Sequence, residues 1–198
     1  MTVDFSQVRL KIDPSFVGLI CLMMIFCQQK TVVLSVICSV FHECGHLAAM
    51  CFFSDVPQKI TLSAFGMRID RRGNSLSYCR EAVVCMSGIA VNIFIAAVFV
   101  CVYFFYGSIT AVQIAFINIF IALVNMIPVG MLDFAGALRC ILYMKYDVKK
   151  AQGISDGVSL AFLVVFVILS IIYCVFIKVN LSLVAVTVYL VTSYKKRS

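Results

Sequence analysis

Two histidines and a glutamate stand at His42, Glu43 and His46 in the order H-E-x-x-H, and the 198-residue chain has no other histidine. On an α-helix, residues four apart share a face and lie about 6 Å apart along the axis. The two imidazoles can therefore offer nitrogens to one zinc ion, each at about 2.0–2.1 Å. Glu43, one position round the helix, can act as general base toward a zinc-activated water and return the proton to a leaving amine. The chemistry this pattern supports is metal-assisted hydrolysis of a peptide bond. In a chain with so few His and Glu residues, the motif would arise by chance roughly once in several thousand sequences.

The elements that must carry these residues are apolar. Hydrophobic residues make up 63% of the chain and charged ones 13%, and the mean hydropathy is +1.08. Such a composition describes an integral membrane protein rather than a soluble domain. At about 20 residues per span, six spans fit, near Phe16–Gln28, Thr31–Phe53, Ala82–Tyr106, Ile109–Leu132, Val158–Ile177 and Leu181–Tyr194. The first is short, with a length that also suits a signal-peptide core or a re-entrant segment; no cleavage site follows it. The expected fold is an all-α polytopic bundle forming one domain over residues 1–198, with a catalytic core near 31–140. Between the second and third spans, Ile60, Leu62 and Ala64 alternate with Thr61 and Ser63. Met67 and Ile69 resume the alternation after Phe65-Gly66, which predicts a short β-hairpin on the cytoplasmic membrane surface.

With a cytoplasmic N-terminus, every Lys and Arg except Lys30 and Lys178 falls on the cytoplasmic side of this topology. That is the positive-inside bias, and it accounts for the net charge of +7 through lipid headgroups rather than nucleic acid. The expectation is a multi-pass protein of the cell membrane with both termini cytoplasmic. The ten cysteines lack C-x-x-C spacing and read as small apolar residues; Cys44 is turned away from the imidazoles by its helical position.

Polar groups in lipid are costly and face a bundle interior or a wet cavity. Ser35, Ser39, His42 and His46 fall at i, i+4, i+7 and i+11, which predicts a polar stripe along the second span. A catalytic zinc needs a third protein ligand. Of the nine carboxylates, Glu43 falls within a predicted span and Asp133 at the edge of the broken one, and Asp133 is selected as the third ligand. Pro128 and Gly130 precede it and predict a break in the fourth helix, tolerated at membrane depth only where backbone is buried in protein or lines a cavity. Asn118 and Asn125 lie seven apart on one face of that helix. Asn125 either holds an extended substrate backbone or hydrogen-bonds a neighbouring helix. A helical substrate must unwind locally to offer its carbonyl, with the broken helix or the 60–69 strand supplying replacement hydrogen bonds.

These residues resemble the site-2 proteases, intramembrane zinc metalloproteases, and most closely the compact branch that includes a sporulation stage IV protease acting on a pro-sigma factor. The first family motif is matched by His42, Glu43 and His46, and the Asn-x-x-Pro…Leu-Asp segment by Asn125, Pro128, Leu132 and Asp133. Gly88 and Asn92 match its Gly-x-x-x-Asn signature, and Phe65-Gly66 its preceding loop. The resemblance implies one zinc per chain held by His42, His46 and Asp133, with Asn125, Asn92, Phe65 and Gly66 contacting substrate. Gly88, Pro128 and Leu132 are implied to be structural. It also implies a membrane-bound protein substrate such as a pro-sigma or anti-sigma factor, and admits an inhibitory membrane partner; the oligomeric state is left open. Phe134 and Ile89 stand where the family has Gly and Pro, with Gly136 available to supply flexibility. No PDZ domain or nucleotide-sensing tail is expected. The alternative reading is a metal-transporting or metal-binding membrane protein using the same cluster, for which Glu43 would be unnecessary and ligands would be spread along a path.

Overall fold

The structure is a computed structural model that describes residues 2–5, 8–12, 29–54, 57–63, 66–71, 77–176, 186–192 and 194. The chain divides into two units, Met1–Leu123 and Val124–Ser198.

The first unit holds strands β1 (Thr2–Phe5) and β2 (Val8–Ile12), helix α1 (Gln29–Phe52), strands β3 (Pro57–Ser63) and β4 (Gly66–Arg71), helix α2 (Tyr78–Tyr106) and most of α3 (Ile109–Asn125). The strands form one sheet in the order β1-β2-β3-β4. β1 pairs antiparallel with β2, β2 runs parallel to β3 with Arg9 opposite Lys59, and β3 pairs antiparallel with β4. This corrects the expected fold class. The chain is not all-α with an isolated cytoplasmic hairpin: the segments near 60–69 belong to a four-stranded sheet completed by residues 2–12. The signal was present in Val8-Arg9-Leu10-Lys11-Ile12, an apolar–polar alternation of period two. Nothing local marks it as part of a sheet, because two strands far apart in sequence must find each other before either pairs.

Among the described residues three helices are long and apolar enough to cross a membrane: Gln29–Phe52, Tyr78–Tyr106 and Val148–Cys174. At 1.5 Å per residue, the 24-residue α1 is about 36 Å long, enough for a hydrocarbon core of about 30 Å. The apolar α3 has 17 residues, about 25 Å. The expected span Phe16–Gln28 lies outside the described residues, and of Leu181–Tyr194 residues 186–192 are helical. Many large apolar side chains point outward, including Phe94, Phe104, Phe116, Phe120, Val165 and Leu169. A surface of that kind would be an interaction or aggregation site in water but is the expected one in lipid. The chain is a multi-pass membrane protein.

Within the first unit α1 packs on α2 at an unusually close crossing. A Cβ built on Gly45 would lie 2.9 Å from Val91 Cγ2, 3.0 Å from the Ser87 carbonyl oxygen and 3.2 Å from Gly88 Cα. Two glycines thus let the backbones approach, the small-residue packing that helices use in membranes. At the far end of α1, Lys30 Nζ donates to Thr110 Oγ1 at 2.9 Å.

The second unit begins with the last residues of α3 and contains α4 (Asp133–Lys145) and α5 (Val148–Phe176), which pack together. The helix α3 stops at Asn125 instead of continuing to Leu132. Pro128 has no N–H to donate and disfavours helical backbone at Ile127, and Gly130 sits at φ 62°, a left-handed conformation that glycine adopts freely. Short local bonds replace the helical ladder: Ile127 N–H donates to the Val124 carbonyl at 3.2 Å, and Val129 N–H to that of Ile127 at 2.8 Å. The buried Ser159 hydroxyl of α5 donates to the Pro128 carbonyl at 2.7 Å. Val129, Leu132, Leu163 and Leu190 form the apolar core around this break. Replacing Ser159 with Ala leaves a buried carbonyl short of a donor. The expected cost is about 1–2 kcal/mol, read as a lower Tm in detergent; an unchanged Tm would count against this role for the hydroxyl.

Candidate metal centre

Along α1 the buried residues are Val32, Cys38, His42, Gly45, His46 and Met50. They recur at helical spacing on the face that meets α2, which is how two imidazoles come to lie inside the protein. Their relative exposures are 4% for His42 and 7% for His46. The polar stripe is shorter than expected: Ser35 is half-buried and Ser39 exposed, and Cys38 takes the buried place one turn before His42. Cys38 Sγ accepts a hydrogen bond from Asn118 Nδ2 at 3.2 Å, and the same nitrogen donates to the Ile114 carbonyl at 2.9 Å. Asn118 is therefore a link between helices. Cys44, between the motif residues, is exposed.

The imidazole rings stand nearly perpendicular, 83° apart with centroids separated by 4.9 Å, and their Nε2 atoms face each other at 3.3 Å. Two nitrogens each about 2.05 Å from one tetrahedral zinc would be about 3.3 Å apart. The observed pair therefore fits two corners of such a site. Gly88 of α2 is the floor beneath them: a Cβ built there would meet His46 Nε2, and would lie 2.7 Å from His42 Cε1 and 2.8 Å from His42 Nε2. The space between the rings exists because residue 88 has no side chain.

Behind the rings, α2 holds each one from its other nitrogen. His46 Nδ1–H donates to the Val84 carbonyl at 2.8 Å, and the Ser87 hydroxyl donates to the same oxygen at 2.6 Å. A donated Nδ1–H places the His46 lone pair on Nε2, the tautomer a metal requires. His42 Nδ1 lies 3.1 Å from Asn92 Nδ2. Asn92, expected from the resemblance to contact substrate, is fully buried (relative exposure 0%) and turned to the back of His42. Val84 and Ser87 were not legible as site residues; a backbone carbonyl has no sequence signature, and a serine beside a glycine is common.

Glu43 is half-buried on α1. In the second unit Asp133 is the first residue of α4 and half-buried, at a helix N-terminus that favours a negative charge. Asn125 ends α3, half-buried, and Pro128 and Leu132 are buried in the break between them. Gly66 opens β4 opposite Ser63; Phe65 lies outside the described residues. One ligand atom from each of His42, His46 and Asp133 lies within 4.8 Å of the other two. This His/His/Asp cluster is able to coordinate a metal ion, and among the described residues it is the group of three or more such side chains with that capacity. Its donors, two imidazole nitrogens and a carboxylate oxygen, are of the kind that zinc takes.

No protein-family model matches the chain, and no curated protein matches it. A solved structure does: the site-2 protease from Methanocaldococcus jannaschii is similar over 100% of this chain and 94% of that one, with a TM-score of 0.73 at 18% sequence identity. A likeness at that identity speaks for a shared fold, and the chain has the fold of that site-2 protease.

Proposed function

We propose that the chain is an intramembrane zinc endopeptidase of the site-2 protease type, which cuts a membrane-embedded or membrane-associated protein. The observation that carries this reading is the pairing of two Nε2 atoms at 3.3 Å on a helix of membrane-spanning length with a carboxylate ligand atom within 4.8 Å. A zinc ion held by His42, His46 and Asp133 supplies Lewis-acid polarisation of the scissile carbonyl and makes a neighbouring water more acidic. Glu43 takes a proton from the attacking water and delivers it to the departing amide nitrogen, so that the C–N bond breaks to give a carboxylate and an amine. Asn125, at the end of α3, holds the substrate backbone beside the helix break. The catalytic core is the 31–140 region of a single membrane-embedded domain with cytoplasmic termini, in a cell membrane. Release of a regulator, such as a pro-sigma or anti-sigma factor, into the cytosol is the outcome this topology serves.

Metal transport is the weaker reading. Transport favours ligands distributed along a path, whereas the described residues offer one compact group.

The test is cleavage of co-purified single-span or membrane-bound pro-proteins by the detergent-solubilised protein. Removing zinc with a chelator is expected to abolish the cut, and adding zinc back to restore it. Cleavage that persists in zinc-free protein, or zinc-replete protein that cuts no candidate, overturns the assignment.

A further inference from the structure

We propose that Asn118 is a substrate-positioning residue, whose side-chain oxygen accepts a hydrogen bond from a backbone N–H of the segment being cut. The proposal rests on the protease reading above and adds to it one contact that holds the substrate.

Two side-chain hydrogen bonds join α1 to α3: Lys30 Nζ donates to Thr110 Oγ1, and Asn118 Nδ2 to Cys38 Sγ. The partners are 80 residues apart in both, so the two helices run parallel and in step between them, over about 12 Å. Carried one turn further, the same offset sets Ala122 level with His42. While α1 packs along α2, α3 is not among the helices packed closely on it. The buried residues of α3 are Ala111, Ala115, Asn118 and Ala122. Its inner wall is therefore a row of methyl groups with one carboxamide, one turn from the level of the metal-binding imidazoles.

The orientation of that carboxamide is fixed. Nδ2 stands 2.9 Å from the Ile114 carbonyl, and only the N–H end can face an acceptor. Oδ1 points elsewhere; it is buried and has no hydrogen-bond partner among the described residues. An unmet acceptor is costly at membrane depth, where lipid supplies no donor. Asn118 is as enclosed as His42 and His46, so the opening that brings substrate to the rings also brings it within a turn of Oδ1.

A substrate that unwinds has the complementary need, because each N–H released from its helix must find an acceptor in the protein. Water is the other donor. A buried water is ordinarily held by two to four polar partners, and the buried face of α3 offers one polar side chain. The geometry favours a single peptide N–H.

The experiment uses the full chain in detergent and a substrate that wild type cuts. Each backbone amide near the scissile bond, though not the scissile one, is replaced in turn by an ester, which lacks the N–H and keeps the side chains. At one position the ester is expected to lower wild-type kcat/KM about tenfold, the effect of one buried hydrogen bond. In Asn118→Leu the same ester is expected to cost little, because its acceptor is already gone; Asn118→Ala serves if Leu does not fold. Cys38→Val breaks the bond between the helices but keeps Oδ1, so it is expected to retain the wild-type ester sensitivity.

An Asn118 that only clasps two helices, or binds water, would leave wild type and variants with the same response to every ester. That result overturns the proposal, as does a Cys38→Val protein that loses the sensitivity. Wild-type protein that cuts no substrate defeats the protease reading itself, while cleavage indifferent to every ester defeats this inference alone.

Discussion

Replacing Glu43 with Gln is expected to lower the cleavage rate by about 10³-fold, within the range attributed to a single acid–base group, while zinc content and affinity stay close to wild type. The two properties separate because Glu43 is not among the three side chains that offer ligand atoms to the cluster. Gln preserves size and a polar end but cannot accept and return a proton. Zinc content by elemental analysis and cleavage by gel mobility of a tagged substrate are the two readouts. A variant that loses zinc along with activity would make Glu43 a structural support for the rings. One that keeps activity would remove it from the chemistry and leave the metal site without a base. A transport protein, by contrast, should be indifferent to this change.

The second large effect is expected from one methyl group. Gly88→Ala places a Cβ against both imidazoles, 2.7–2.8 Å from His42 ring atoms and closer still to His46 Nε2. Those rings cannot both retreat, because His46 is tied to the Val84 carbonyl and His42 to Asn92. The helices cannot separate freely either, since Gly45 meets the Ser87 and Gly88 backbone at the same crossing. Overpacking of this kind costs about 1–3 kcal/mol, and here the strain falls on the coordinating atoms. Zinc affinity should drop by roughly 10–100-fold, the equivalent of 1.4–2.8 kcal/mol, with activity falling in step. Isothermal titration or chelator competition measures it. Wild-type zinc affinity in Gly88→Ala would mean that the helices at this crossing are looser than the structure has them.

How far each part could be read in advance depended on range. H-E-x-x-H is a local pattern on one helix, and helical geometry alone puts His42 and His46 on one face. Asp133 was reachable because carboxylates in an apolar chain are few. The break between Asn125 and Asp133 was reachable because proline and glycine act through their own backbone. The sheet was not, since β2 and β3 pair across 44 intervening residues and nothing local announces that pairing. Helix lengths also misled. Apolar runs mark where a helix tolerates lipid, whereas a helix can start before its apolar run, as α5 does at Val148 with Lys149 and Lys150 at its exposed end.

What the sequence determined by itself is the membrane class and the identity of the metal-seeking side chains, because composition and helical spacing are properties of residues and their near neighbours. What the tertiary structure alone decided is how those side chains are held. The 3.3 Å Nε2 separation, the Val84 carbonyl behind His46 and the turn of Asn92 toward His42 all depend on α1 and α2 meeting at Gly45 and Gly88. Such a contact is set by the shapes of two surfaces at once, and neither helix encodes it alone.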